Sequence, residues 1–456
     1  MTTHDLLVIG GGAGNNLAMA ASRRGLDVGL VEKGPLGGAC LTRGCDPSKT
    51  LLHRADIVEQ IHGSNEFGID ANVQGIDFDR IIDESNRPFE EKAERIEENL
   101  RNIDGFTLYK AEGRFVDKRT LEVDGERITA EKVIVAVGAR PMIPSSIDGI
   151  DEVEYITSDE ALRLDERPNH LVVVGGGYVA AELGYFYGAM GAEVTIIGRS
   201  DQLISDENTD VSETFTDLFA ERYNVYTSHE ATAAEEDESE ITVRAESDDG
   251  DEVSVTGDEL LVATGRVPNT DVTNVEAGGI EIDDRGFVET NEYLETSAEN
   301  VWAFGDAIGD PLFRHTANHE AQVVFRNAIR DQRQAIDYTG NGHAIFSSPE
   351  VASLGQTEQE LEEEGRDYVT GRKEYGEVAM GMALKDEDGF VKVLADSDDG
   401  EILGCHVLGP DASTLVHEVA VAVTAGSGTV ADIKDTIHIH PALSEVVEGA
   451  FENVSE

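Results

Sequence analysis

Leu6-Leu7-Val8-Ile9-Gly10-Gly11-Gly12-Ala13-Gly14-Asn15 is the stretch that decides the fold of this chain. Its first four residues read as a buried parallel strand, and the glycines end it. An apolar-periodic helix through Leu17, Ala18, Ala20 and Ala21 follows, then a second strand, Val28 to Val31, closing on Glu32. A strand, a glycine turn, a helix and an acid about 20 residues on make a βαβ dinucleotide fingerprint. Gly10 and Gly12 let the backbone approach a pyrophosphate at the helix N-terminus, where the dipole favours an anion. Glu32 is placed to accept a hydrogen bond from a ribose. Asn15 stands where a third glycine is usual, so helix–strand packing there must tolerate a side chain.

The pattern occurs twice. Leu171-Val172-Val173-Val174-Gly175-Gly176-Gly177-Tyr178-Val179-Ala180 repeats it, with its own helix and a second strand from Val194 to Ile197. Two units imply two dinucleotides. This second strand ends in Gly198-Arg199, with no carboxylate to engage a ribose hydroxyl. An acid there repels a 2′-phosphate and an arginine attracts it, so the second nucleotide is expected to be NADP(H), held in part by Arg199. A solvated surface arginine is the plain alternative.

Between the two units lies Gly37-Gly38-Ala39-Cys40-Leu41-Thr42-Arg43-Gly44-Cys45-Asp46-Pro47-Ser48-Lys49, with two of only three cysteines in 456 residues. Plant-type iron–sulfur spacing needs another Cys where Ser48 stands, and zinc needs partner ligands at short spacing that are absent here. A redox pair is the best remaining reading, with two unpaired buried thiols as the bland one. In a regular helix, residues five apart lie roughly 7.5 Å apart along the axis and about 140° around it. That separates their Cα atoms by on the order of 8–9 Å, beyond the ~7 Å a disulfide spans. The segment must therefore bend, and Gly44 permits it. A disulfide closed under such constraint tends to be labile.

The bulk numbers bound the rest. A chain of 456 residues is too long for one core, so two to four domains are expected. The formal net charge of −57 argues against nucleic-acid or anionic-membrane partners. The acid is spread widely, with clusters such as Glu235-Glu236-Asp237-Glu238, and periodic apolar runs favour a folded chain over disorder. Self-repulsion on this scale is screened at ~1 M salt, where the Debye length is ~3 Å. We therefore read an intracellular protein of a salt-accumulating organism, a hypothesis that full stability and activity in dilute buffer would refute. With no signal-peptide pattern before the first strand and no apolar run near ~18 residues, a soluble cytoplasmic protein is expected.

Further along, Pro88 is expected to open a helix with Phe89, Ala93, Ile96, Leu100 and Ile103 on one face. The acidic segment before the strand Leu260 to Ala263, with alternation such as Glu240-Ile241-Thr242-Val243-Arg244, reads as a β-meander with charged turns. Thr264-Gly265-Arg266-Val267-Pro268-Asn269 closes the second unit, and Val301-Trp302-Ala303-Phe304-Gly305-Asp306 sets an acid at a sheet's carboxyl edge. The chain closes on His438-Ile439-His440-Pro441-Ala442-Leu443-Ser444-Glu445. There Glu445 could orient an imidazole, which suits a general acid–base.

Taken together, the two fingerprints, the GGxC-x₄-C-x-P-S-K segment, TGRxPN, the Gly-Asp strand and the terminal HxHPxxSE resemble the flavin-dependent pyridine nucleotide–disulfide oxidoreductases over essentially the whole chain. That group holds glutathione reductase, dihydrolipoamide dehydrogenase, mercuric reductase and mycothione reductase. The resemblance implies an α/β fold with two Rossmann-like dinucleotide-binding domains, for FAD and NADP, and a C-terminal α+β dimerisation domain. The FAD-binding domain would comprise residues 1–147 and 268–338, the NADP-binding domain 148–267 and the interface domain 339–456. FAD would take Gly10, Gly12, Asn15, Glu32, Gly113, Gly138, Asp306 and His315, with Asp306 on its ribityl chain. NADPH would take Gly175, Gly177, Tyr178, Ala180, Arg199, Gly265 and Arg266, with Tyr178 as a gate over the nicotinamide pocket. Cys45 would face the flavin and Cys40 attack substrate, with Lys49 and Glu182 as an ion pair near the reactive flavin nitrogen. His440, held by Glu445, would serve the other subunit of a homodimer. No metal site is expected.

Within the group, the region from His315 to Val324 and Ile439-His440-Pro441-Ala442-Leu443 are most similar to mycothione reductase. The acidity points instead to a salt-loving archaeon, whose main thiol is γ-glutamylcysteine. The resemblance thus implies an NADPH-dependent reductase of the small-molecule disulfide bis-γ-glutamylcystine, serving thiol redox homeostasis. The alternatives are an NAD-dependent dihydrolipoamide dehydrogenase of a 2-oxoacid dehydrogenase complex, a mercuric reductase-like enzyme, and a flavin-bearing interaction protein without turnover. Mercuric reductase carries a C-terminal cysteine pair that this chain lacks, and glutathione reductase a second arginine where Ile204 stands. Two residues depart from the group's pattern. Arg43 replaces an apolar residue, and it could bind substrate carboxylates, lower a thiol pKa or simply be solvated. Asp46 replaces Ile or Val, and beside a thiolate it would raise that thiol's pKa unless Lys49 or Arg43 offset it.

Overall fold

The computed structural model describes residues 2–455 except Ser239 and Asp310. In the first unit, β1 (Thr2–Ile9) leads through the glycine turn into α1 (Ala13–Ser22) and β2 (Val28–Val31). The cysteine segment forms α2 (Gly38–Arg43) and α3 (Cys45–His62), followed by α4 (Phe78–Arg101). Then come β3 (Phe106–Tyr109), β4 (Gly113–Asp117), β5 (Thr120–Val123), β6 (Glu126–Val135) and β7 (Ala139–Pro141). The order β3-β2-β1-β6-β5-β4 makes one sheet, parallel from β3 to β6 and antiparallel beyond. Buried on both faces, β1 and β2 read as near-continuous apolar runs, as parallel strands do.

Pro88 does not open a helix. It lies inside α4, which starts ten residues earlier, where the Asp77 side chain accepts from the Arg80 amide at 3.3 Å. Pro88 is exposed, so the carbonyl four residues back that lacks its amide donor lies on the solvent face. Proline at an exposed position bends a helix without ending it, and a capping aspartate outranks it as a start signal.

The second unit holds α5 (Ser158–Ala161), β8 (His170–Val174), α6 (Tyr178–Ala189), β9 (Glu193–Ile197) and α7 (Thr209–Ala220). β10 (Asn224–Tyr226) follows, then the meander of β11 (His229–Asp237), β12 (Glu240–Ser247) and β13 (Glu252–Gly257), and β14 (Glu259–Val262) returns to the core. The parallel order β10-β9-β8-β14 makes the second nucleotide-type sheet, and β11-β12-β13 is antiparallel as expected. A two-stranded antiparallel link, β15 (Arg266–Pro268) on β7, stitches the exit of this unit to the exit of the first. After α8 (Thr270–Thr273), the chain rejoins the first sheet through β16 (Val301–Ala303), paired with β6, and packs α9 (Arg314–Val324) against α1.

The remainder is a five-stranded antiparallel sheet, β17 (His343–Ile345), β18 (Val351–Gly355), β19 (Tyr368–Glu374), β20 (Phe390–Asp396) and β21 (Ile402–Leu408), in the order β17-β18-β21-β20-β19. Between and after its strands lie α10 (Glu358–Glu364), α11 (Ala379–Leu384), α12 (Ala412–Ala425), α13 (Val430–Lys434) and α14 (Ser444–Glu452). α12 and α14 cover the sheet through Val416, Val419, Val446 and Phe451. Polar groups fasten this layer to the second unit. Buried Glu207 accepts from Ser353 and pairs with His343 at 2.6 Å, and buried Lys392 pairs with Asp210 at 2.8 Å and with Glu358. No helix among the described residues is long and apolar enough to cross a membrane.

Candidate functional site

One cavity runs from the first glycine turn to the cysteine segment. Its wall includes Gly10, Gly12, Glu32, Gly138, Cys40, Cys45, Lys49, Tyr178, Glu182, Arg266, Asp306 and Arg314. Residues from 10 to 344 thus meet in one space.

At its floor, Gly10 has φ +107°, and a Cβ there would stand 2.0 Å from the Ala136 carbonyl oxygen. Only glycine fits. The close helix–strand approach expected of a third glycine falls to Gly14, whose added Cβ would meet Val8 at 2.9 Å. Asn15 is consequently tucked away, 3% exposed, and its Oδ1 has no partner among the described residues. Both Glu32 oxygens accept at 2.6 Å, from the amides of Gly11 and Gly34, so its carboxylate is fixed at the strand end. Asp306 sits in the opposite wall, where burial raises its pKa against the pull of Arg266 and Arg314.

The cysteines flank the break that the spacing demands. α2 ends at Gly44, whose φ −154° and ψ −124° turn the chain before α3 begins at Cys45. Both are free thiols here, as is the buried Cys405. The Cys45 thiol is lowered to about 7 by a hydrogen bond from Cys40 and by Lys49, against burial. Cys40 is pushed up by that same hydrogen bond, by burial and by the nearby anions, with Arg314 opposing. Lys49 Nζ donates to both oxygens of Glu182, at 2.8 and 2.7 Å, and sits 4.8 Å from the Phe346 ring. Glu182 on α6 is buried and also accepts from the Phe346 amide at 3.0 Å. This pair, half-buried Lys49 on buried Glu182, links α3 to α6 across 133 residues of sequence.

Several expected residues lie elsewhere. Arg266, expected with the second nucleotide, lines the same cavity as Tyr178 and Asp306: its Nε approaches Asp306 at 4.0 Å and its Nη2 donates to the Ala139 carbonyl at 2.9 Å. The β15–β7 pairing carries it there. Gly113 is a packing residue in β4, where a Cβ would press on Val31, Leu121 and Val123, and it does not line the cavity. His315 is also outside the wall. It bonds the Gly342 carbonyl at 2.8 Å and stacks on Phe313, which does line the cavity and leans on Tyr178 at 6.5 Å.

The second turn repeats the first. Gly175 has φ +129°, with a Cβ 2.2 Å from the Ala263 oxygen, while the space at Gly177 is open. Ala180 is fully buried where α6 meets the sheet, and Gly265 turns with φ +118° beside Met142. Arg199 is exposed past the end of β9. Tyr178, at the start of α6, belongs to this turn yet lines the first cavity, so it stands between the two. Arg43 is turned toward Asp159 on α5, 3.4 Å away.

His440 Nδ1 bonds Glu445 Oε1 at 2.8 Å, and Glu445 also accepts from the Ala442 amide at 3.0 Å. The imidazole is 72% exposed and does not line its own chain's cavity. Exposed Ile437 and Ile439 flank it, whereas His438 is buried against Glu418 and Glu448.

Arg314 escaped the sequence reading. It opens α9, donates to the Gly37 carbonyl at 3.3 Å, and reaches within 3.6 Å of a Cβ built on Gly12. Its only signal is a cation in a strongly acidic chain, which does not tell a cavity arginine from a solvated one. The lining fits FAD: glycine-turn amides at a helix N-terminus, the fixed Glu32 carboxylate, the Asp306 carboxylate, a guanidinium beside the turn, and a buried Arg266 Nε without a hydrogen-bond partner among the described residues.

The comparisons with known proteins agree with this architecture. Residues 4–322 match the family described as pyridine nucleotide-disulphide oxidoreductase, and residues 342–451 match its dimerisation domain. The chain is 34% identical over 466 residues to a mycothione reductase of Mycobacterium tuberculosis, covering 99% of both chains. It is 34% identical over 462 residues to a dihydrolipoyl dehydrogenase of Haloferax volcanii, covering 99% of this chain and 96% of that one. Among solved structures, the HOCl-induced flavoprotein disulfide reductase RclA from Escherichia coli superposes with a TM-score of 0.87 at 25% identity, over 99% of this chain and all of the other. The chain belongs to the pyridine nucleotide-disulphide oxidoreductase family: an FAD-dependent, pyridine-nucleotide-linked enzyme acting on sulfur groups, with the family's dimerisation domain and hence a homodimer.

Proposed function

We propose that this member of the pyridine nucleotide-disulphide oxidoreductase family is an NADPH-dependent reductase of a low-molecular-weight disulfide, with bis-γ-glutamylcystine as its substrate. The observation that carries the reading is a free dithiol at a helix break, in the same cavity as the first glycine turn and a bidentate Lys49–Glu182 pair. Residues 1–147 with 268–338 hold FAD in this reading, residues 148–267 hold NADPH, and residues 339–456 form the interface. Bound FAD supplies the relay of two electrons from NADPH to the sulfur pair. Gly10, Gly12, Glu32, Asp306, Arg266 and Arg314 bind and orient it, Lys49 and Glu182 fix a charge beside it, and Tyr178 with Phe313 covers the nicotinamide side.

On the sulfur side the chain's own groups act. The partner subunit's His440, held by Glu445, takes the proton from Cys40. The Cys40 thiolate then attacks one substrate sulfur, forming a mixed disulfide and releasing a thiolate that takes the proton back from the imidazolium. The Cys45 thiolate then attacks Cys40 Sγ, displacing the second substrate sulfur as a thiolate that takes a proton from solvent, and the Cys40–Cys45 disulfide is restored. Two electrons leave the pair and one disulfide becomes two thiols.

Arg199, where an acid would repel a 2′-phosphate, supports NADPH over NADH. The equal identity to the Haloferax volcanii dihydrolipoyl dehydrogenase favours a second reading, NADH-linked turnover of lipoamide. Nucleotide oxidation in molar KCl separates the two, with NADPH or NADH supplied against bis-γ-glutamylcystine, oxidised glutathione, mycothione and lipoamide in turn. NADPH with bis-γ-glutamylcystine is expected to be fastest, and NADH with lipoamide fastest would overturn the proposal. Cys40→Ser should abolish disulfide reduction while cofactor reduction by NADPH continues. Persistent turnover would mean the thiol roles are wrongly assigned.

A further inference from the structure

The reduced pair is not symmetric, and a residue the reaction above does not use touches only one of its two thiols. Cys40 Sγ, the last-but-three position of α2, donates toward Asp46 Oδ1 at 3.8 Å. Asp46 lies in the first turn of α3, and Thr50 Oγ1 bonds its carbonyl at 2.9 Å. Asp46 is therefore carried by the same helix as Cys45 and Lys49. Arg43, the charged residue between the cysteines, does not neutralise it, because its guanidinium goes to Asp159.

We propose that Asp46 is a second acceptor for the Cys40 hydrogen and adds to the bias that keeps the proton of the reduced pair on Cys40 rather than Cys45. Cys40 stays a thiol facing two anionic acceptors, Cys45 Sγ and Asp46 Oδ1, and Cys45 carries the negative charge toward the cofactor cavity. Cys40 becomes a nucleophile only when an outside base removes its proton. The nucleophile is thereby kept protonated until substrate and the partner's base are in place. This rests on the dithiol reading of the site.

The surrounding charges are consistent with such a division. Cys40 faces Cys45 and Asp46 on α3 and the Arg314 guanidinium from α9, which favours its thiolate. Cys45 faces Cys40, Lys49 and Asp46 on α2 and α3, and Tyr178 of α6 lies in its field. Glu182 of α6 is occupied by Lys49. Asp46 as a plain charge disfavours both thiolates, but its hydrogen bond goes to Cys40 alone. Removing it must therefore act more on Cys40 than on Cys45.

The test uses holoenzyme in molar KCl, chemically reduced, with each thiol isolated in turn. In Cys45→Ser, the pH midpoint for alkylation of Cys40 by iodoacetamide is expected to fall by about one unit when Asp46→Asn is added, so that alkylation below the midpoint runs about tenfold faster. Asp46→Glu in the same background should return the midpoint most of the way. In Cys40→Ser, Asp46→Asn should move the Cys45 midpoint by clearly less. An unmoved Cys40 midpoint, or an equal shift of both thiols, overturns the proposal. Far-UV circular dichroism checks that each variant is folded. The functional reading fails separately, if NADPH does not turn the wild-type disulfide into two alkylatable thiols.

Discussion

The two glycine turns are nearly the same object built twice. Gly10 at φ +107° backs onto the Ala136 oxygen, and Gly175 at φ +129° backs onto the Ala263 oxygen. Each ends a parallel strand and opens a helix. They part at the end of the next strand. Glu32 is locked by two backbone amides, whereas Arg199 is exposed. The cradle is thus a backbone property, and on the proposed reading the choice of ligand falls to one side chain about twenty residues on. The first turn also has neighbours the second lacks: Arg314 and the cysteine segment close over it.

The strongest way to break this comparison is to fill each cradle. Gly10→Ala and Gly175→Ala both force a Cβ into a backbone oxygen at a positive φ, and each should cost about 3 kcal/mol or more in a denaturant melt. Gly10→Ala should also lose flavin, read from the absorbance of the purified protein, while Gly175→Ala retains it. Equal flavin loss would mean the turns do not divide the nucleotides as read. Arg199→Glu probes the difference between the turns directly. The KM for NADPH should rise roughly ten- to hundredfold, as expected for losing a charged contact and gaining a repulsion, with NADH little affected. If both nucleotides shift alike, Arg199 does not read the 2′-phosphate. The mildest change is Gly177→Ala, where the space is open and φ is −86°. Stability should stay within about 0.5 kcal/mol, while NADPH binding, followed by titration, weakens because the methyl group enters the nucleotide's path. An unchanged affinity would assign the open space to no ligand.

Much of the architecture was legible because it is local. Both βαβ units, the meander and the bend between the cysteines follow from spacings within about thirty residues, where strand and helix periods and glycine turns speak directly. Pro88 misled for a local reason too: a proline was weighed above the capping Asp77 that starts α4. The candidate site was legible as a set of residues, less so as an arrangement. Arg266 was placed with the second nucleotide by its position in the chain, and the β15–β7 pairing sets it in the same cavity as Tyr178 and Asp306. Gly113, expected beside FAD, packs against Val31, Leu121 and Val123 outside the cavity wall.

What the sequence by itself determined is the family, the two cradles, the redox spacing with its break at Gly44, and the His440–Glu445 pair five residues apart. Each is written in short-range order. Only the tertiary structure decided that Lys49 meets Glu182, that Arg314 reaches Gly37 across 277 residues, and that Cys40 Sγ points to Asp46 while Arg43 turns away to Asp159. The physical reason is that hydrogen bonds and ion pairs act over a few ångströms. Which charges come that close is set by how the sheets and helices pack, and a one-dimensional pattern does not carry that information.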